Sequence, residues 1–104
     1  MAEAEIVVRD NPEAMRFETV VDGHLAVAEY RLPAGSILFS HTEVPAALEG
    51  RGIGSALVRA GLAAARERGL TVIPVCPFFA AYIKRHPETQ DILHPDYRRV
   101  LGLD

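Results

Sequence analysis

Glu49-Gly50-Arg51-Gly52-Ile53-Gly54-Ser55 lies between a run that alternates like a β-strand and a run with helical periodicity. Three glycines on alternate positions leave backbone N–H groups uncovered by side chains. The following helix directs the positive end of its dipole at the same spot. The stretch therefore reads as a cradle for a phosphate or diphosphate, held by main-chain donors. No lysine follows the last glycine, which excludes a nucleoside-triphosphate P-loop. Position 55 is Ser, and too little chain remains for the further βαβ units of a dinucleotide fold. A bare tight turn is the plainer alternative, but three glycines exceed what one turn needs. An anion pocket in so small a protein points to a nucleotide-like cofactor.

Downstream, Gly52 to Arg68 carries Ile53, Ala56, Leu57, Ala60 and Ala64 at the spacing of one helical face. Arg66 and Arg68 suit the negative end of its dipole, and Gly69 is a natural stop. Gly61 inside this helix costs about 1 kcal/mol relative to Ala, so close packing against a sheet is expected there. Leu70 to Cys76 reads as a buried strand reached through a helix, hence parallel to Ser36–Val44. Pro74 in its middle cannot donate to a ladder and marks either a sheet edge or a place where neighbouring strands part. A second helix, Phe78 to about His86, stops before Pro87. In the tail, Ile92, Leu93, Tyr97, Val100 and Leu101 suffice to dock it on the body.

Upstream, Glu5–Arg9 is a short β-prone run ending at the turn signal Asp10-Asn11-Pro12. Arg16 to Val21 alternates, Asp22-Gly23 gives a tight hairpin, and His24 to Leu32 alternates again. There Leu25, Val27 and Glu29 share one face, and Ala26, Ala28 and Tyr30 the other. Pro33-Ala34-Gly35 turns into Ser36–Val44. The expected architecture is one α+β domain over residues 1–104. It comprises an antiparallel meander, one crossover helix after the glycine loop, a parallel strand and short C-terminal helices.

The 104 residues are 49% apolar, enough for a core but for one domain only. A net charge of −3 disfavours non-specific nucleic-acid binding. The local pairs Lys84-Arg85 and Arg98-Arg99 read as solvated charge or as contacts to a phosphorylated ligand. The single cysteine, Cys76, excludes an internal disulfide. No secretory leader or membrane-spanning run is seen, so a cytoplasmic protein is expected, monomeric or weakly dimeric. His86 and His94 lack metal-ligand spacing, and no metal is expected.

The stretch Glu49 to Leu57 resembles the acetyl-CoA-binding motif of the GNAT N-acetyltransferase superfamily, Arg/Gln-x-x-Gly-x-Gly/Ala at the start of a long helix. Gly52 and Gly54 match its two small positions, whereas Glu49 stands where Arg or Gln is usual. The flanks His41-Thr42-Glu43-Val44-Pro45 and Pro74 to Glu88 resemble a small, minimal GNAT-like family of about this length. That resemblance runs from roughly Arg16 to Leu93. It implies an acyl-CoA-dependent N-acetyltransferase acting on an amine acceptor, a protein lysine or N-terminus being one candidate. A non-catalytic module that binds or senses CoA is the alternative. It also implies that Thr42, Glu43 and Val44 meet the pantetheine amides. Gly50, Arg51, Gly52, Ile53, Gly54 and Ser55 would take the diphosphate, and Cys76, Pro77 and Tyr82 would complete the cofactor site.

Cys76 stands at a strand end before a helix N-terminus, where the dipole favours a thiolate. It reads either as an acyl acceptor, as the resemblance suggests, or as a small buried hydrophobe. His41 and Glu43, two apart on a strand, share a face. His41 is a candidate general base that could reach Cys76 or a substrate amine, a water held by Glu43 is the alternative base, and the other reading is an exposed polar pair. The resemblance makes Tyr82 a candidate general acid toward the leaving thiolate, though its neighbours Phe78 and Ile83 also suit a core position.

Overall fold

The structure, a computed structural model, describes residues 6–103. Five strands lie side by side in sequence order: β1 (Arg9–Asn11), β2 (Arg16–Val21), β3 (His24–Arg31), β4 (Ser36–Glu43) and β5 (Thr71–Pro74). The first four are antiparallel neighbours and β5 is parallel to β4. Helix α1 (Ile53–Glu67) makes the crossover, followed by α2 (Pro77–Arg85) and α3 (Pro95–Val100). Short 3-10 segments cover Ala46–Leu48 and Pro87–Ile92. This is the mixed α+β sheet expected from the alternation of periods.

The first strand differs from the expectation. Strand β1 runs through Asp10 and Asn11 rather than ending before them and leaves out residues 6–8 of the expected run, whose Glu5 lies outside the described part. The turn begins one step later because Asn11 serves it twice. Its carbonyl and its side-chain oxygen both accept from the N–H of Ala14, at 3.2 and 3.3 Å. Asp10 is retained in the strand, where it accepts a 2.7 Å hydrogen bond from the Tyr30 hydroxyl.

Ala26, Ala28 and Tyr30 face the helices, as their alternation requires. A row of rings crosses that face. Tyr30 lies 5.4 Å from Phe17, Phe17 lies 6.3 Å from Phe39, and Phe39 stacks on Phe79 of α2 at 4.0 Å. Helix α1 buries Ile53, Leu57, Val58, Gly61, Leu62 and Ala65 against them. Its inner stripe is thus rotated from the expected one, with Ala56, Ala60 and Ala64 on the half-buried flank. The branched side chains win the interior because burial energy scales with apolar area, at about 25 cal/mol per Å². Gly61 meets the expectation of close approach: a Cβ there would stand 2.9 Å from two ring atoms of Phe39.

The tail docks through Leu93, which is buried and bridges Val72. Arg66 on α1 holds it further, by a bidentate pair with Asp91 at 2.6 and 2.8 Å. Tyr97 and Leu101 pack half-buried, whereas Val100 is exposed.

Candidate functional site

Strands β4 and β5 are parallel, so α1 and α2, which follow them, both begin at the same edge of the sheet. Ligands of open α/β sheets bind outside the carboxyl ends of such strands. The ladder between the two strands runs only from Ser36–Thr71 to Phe39–Pro74. Beyond Pro74 the Val75 N–H turns back to the Ile73 carbonyl at 3.1 Å, and only the Cys76 N–H returns to β4, on Phe39 O at 2.9 Å. Strand β4 continues beside β3 to Glu43. Its outer edge past Phe39 therefore leaves β5, at the position where Pro74 withholds a donor.

Strand β4 also carries a bulge. Glu29 pairs with His41 and Tyr30 with Phe39, leaving Ser40 as an extra residue. A bulge shifts the alternation by one position. Ile37 and Phe39 face the helices, but after Ser40 it is Thr42, opposite buried Ala28, that faces them. The Thr42 hydroxyl lies 3.3 Å from the Cys76 sulfur. His41 and Glu43 fall on the other face, where their side chains meet each other at 3.5 Å and are exposed. The expected approach of His41 to Cys76 is therefore not made: simple alternation would allow it, and the bulge reverses it. Cys76 is only 4% exposed and belongs to the core cluster.

At the start of α1, Gly52 is the N-cap with a left-handed backbone, φ 76°, and offers no side-chain cap. Gly50 likewise has φ 79°, so both glycines are required by conformation. The N–H groups of Ile53, Gly54 and Ser55 take no partner among the described residues, and the first turn holds no acidic residue. Helix α2 begins in the same way, with Cys76 as an N-cap whose side chain makes no capping bond and Pro77 at the first position. Two positive helix ends thus open onto one edge.

A cavity of about 250 Å³ lies there, lined by the glycine loop together with Val44, Leu48, Ile53 and Phe78. Its donors are backbone N–H groups and its walls are largely apolar, which suits a ligand with a phosphate end and a weakly polar arm. Glu49 also lines it, a like charge to any phosphate, so attraction there rests on the N–H groups. The side chain of Arg51 is engaged elsewhere, 2.6 Å from Asp22 on the β2–β3 hairpin. That guanidinium holds the Asp22 carboxyl below its ordinary range. Arg51 thus contributes its backbone to the loop and ties the loop to the hairpin.

Tyr82 is buried, its ring stacked on His86 at 3.8 Å, while His86 Nδ1 lies 2.7 Å from the Tyr82 carbonyl. Thr42, Val44, Cys76 and the glycine loop are gathered around one edge, and His41 with Glu43 lies across the sheet from them. Phe78 and Leu48 are cavity residues that sequence reasoning missed. The inward stripe of α2 is Phe79, Tyr82 and Ile83, and Phe78 stands beside it, 43% exposed. A large apolar residue outside its helix's inner stripe was the available signal. Among the described residues no group of three or more His, Cys, Asp or Glu is placed to hold a metal ion. No helix of the described residues is long and apolar enough to cross a membrane.

The profile of the GCN5-related N-acetyl-transferases matches residues 16–92. The chain belongs to this family. It is similar to the solution structure of a GCN5-like protein from Staphylococcus aureus, titled there as a candidate N-acetyltransferase. The two share 26% sequence identity over 88% of this chain and 91% of that one, with a TM-score of 0.69. The curated proteins include no match.

Proposed function

We propose that this protein binds acetyl-CoA at the glycine loop and transfers its acetyl group to an amine. The observation that carries the reading is the uncapped first turn of α1, whose three free N–H groups open onto the cavity beside the β4–β5 gap. A diphosphate would accept from Gly50 to Ser55, replacing the water that otherwise solvates those donors. The pantetheine arm would run along Val44, Glu43 and Thr42, adding backbone bonds to the strand edge that β5 leaves unpaired. Pro77 and Tyr82 would flank it from α2.

In the transfer, the amine nitrogen attacks the thioester carbonyl. The new C–N bond forms as the C–S bond breaks; the amine gives its proton to a base, the departing CoA sulfur takes one from an acid, and exchange with solvent restores both groups. The base we assign to that proton is His41, with Glu43 at 3.5 Å, and from the exposed face of the sheet it can serve only an amine that enters from that face. Tyr82 is the donor we assign to the thiolate. Placing His41 across the sheet from Cys76 favours direct attack over an acyl-Cys76 intermediate, since the sulfur lacks that base and has Thr42 as its neighbour. The acceptor would be a lysine, an N-terminus or a small amine.

The test begins with thermal unfolding with and without saturating acetyl-CoA, followed by intact mass and by thiol release with a panel of amines. A ligand at about 100 times its dissociation constant stabilises by roughly 2.7 kcal/mol, which is several degrees for a domain of this size. A shift with thiol release that His41→Ala abolishes and Cys76→Ala spares supports direct transfer. An added acetyl mass that vanishes in Cys76→Ala replaces it with the acyl-enzyme route. A shift without release under any amine leaves a CoA-binding module, and no shift overturns the reading.

A further inference from the structure

We propose that Phe78 is a positioning residue for the thioester arm of the acyl-CoA, and that residue 54 is glycine to leave its ring that place. The inference rests on the proposed function and names a residue that neither the glycine motif nor the catalytic assignments include. Phe78 follows Cys76 by one residue beyond Pro77, so a single turn carries both the thiol of the gap and a wall of the cavity. The ring reaches across to the first turn of α1. A Cβ on Gly54 would stand 2.6 Å from its Cζ and 3.0 Å from Cε1. With 43% of Phe78 uncovered, a ligand lying on it removes apolar surface from water. The phosphate end of CoA has nothing to gain from such a wall, whereas the arm between phosphate and thioester does. Val44 and Ile53 continue the same apolar lining between the cradle and β4.

Isothermal titration with two probes separates these ends: acetyl-CoA, and 3′-phosphoadenosine 5′-diphosphate, which keeps the diphosphate but has no arm. Phe78→Ala is expected to weaken acetyl-CoA about tenfold and to leave the diphosphate within about twofold. Phe78→Met, which restores an apolar wall, should recover most of the loss. Gly54→Ala should weaken acetyl-CoA by displacing the ring, and the Gly54→Ala/Phe78→Ala double variant should be no weaker than Phe78→Ala alone. An unchanged acetyl-CoA affinity in Phe78→Ala overturns the inference, as do equal losses for both probes or additive losses in the double variant. Wild-type protein that binds neither probe overturns the proposed function, and this inference with it.

Discussion

Gly54 and Gly61 lie two turns apart on the inner side of α1, and each faces a phenylalanine ring closer than a Cβ would allow. The rings differ in their freedom. Phe39, against Gly61, is fully buried and stacked on Phe79 at 4.0 Å, with the aromatic row behind it. Phe78, against Gly54, is partly in solvent and can swing. Close approach of an aromatic ring to a bare helix backbone therefore serves two ends in one helix. In the core it locks sheet to helix, and at the edge it shapes an opening.

Gly61→Ala tests the locked end and carries the largest expected loss of stability. Overpacking costs about 1–3 kcal/mol, against a helix-propensity gain of about 1 kcal/mol. Urea unfolding should report a net loss of up to about 2 kcal/mol. Phe39→Leu in the same chain should make the two losses less than additive.

Tyr30 sets the other end of the aromatic row, and its hydroxyl donates to Asp10. Burial, then the hydrogen bond to Asp10, raise the phenol from its ordinary value near 10 to about 12. The fold thus holds the proton more tightly than the unfolded chain does. Its contribution is whole below pH 10 and is lost as pH rises toward 12. Tyr30→Phe should cost about 1 kcal/mol at neutral pH and flatten this part of the alkaline decline, followed by circular dichroism.

Gly54→Ala should leave stability within about 0.5 kcal/mol of wild type while acetyl-CoA affinity falls. A stability loss equal to that of Gly61→Ala would erase the distinction between the two glycines. Asp22→Asn should have the smallest effect. The Asp22–Arg51 pair is exposed, and Asn suits the positive φ of 51° at that turn. The depressed Asp22 carboxyl contributes above its ordinary range and loses that contribution as pH falls through its lowered value. Because the pair is exposed and screened by water, the urea midpoint should hardly move even at neutral pH, where that contribution is whole.

Much of the fold was legible because periods and turn residues are local properties. The meander, the crossover helix, its stop at Gly69 and the parting of β5 at Pro74 follow from alternation, helical spacing and a missing donor. The cradle was legible for the same reason: bare backbone before a helix is visible in the letters. The face of His41 was not, because a bulge leaves the composition of a strand unchanged. Nor was the role of Phe78 beside Phe79, since two adjacent rings look alike until a helix is oriented on a sheet.

By itself the sequence determined the elements, their order and the loop of bare backbone before α1, since each depends on residues close together in the chain. Only the tertiary structure decided what meets at the site. Ser40 shifts the register of β4, so that Thr42 rather than His41 reaches Cys76. Packing of α2 against α1 lays Phe78 over Gly54. Both depend on contacts between segments far apart in sequence, which local propensity does not encode.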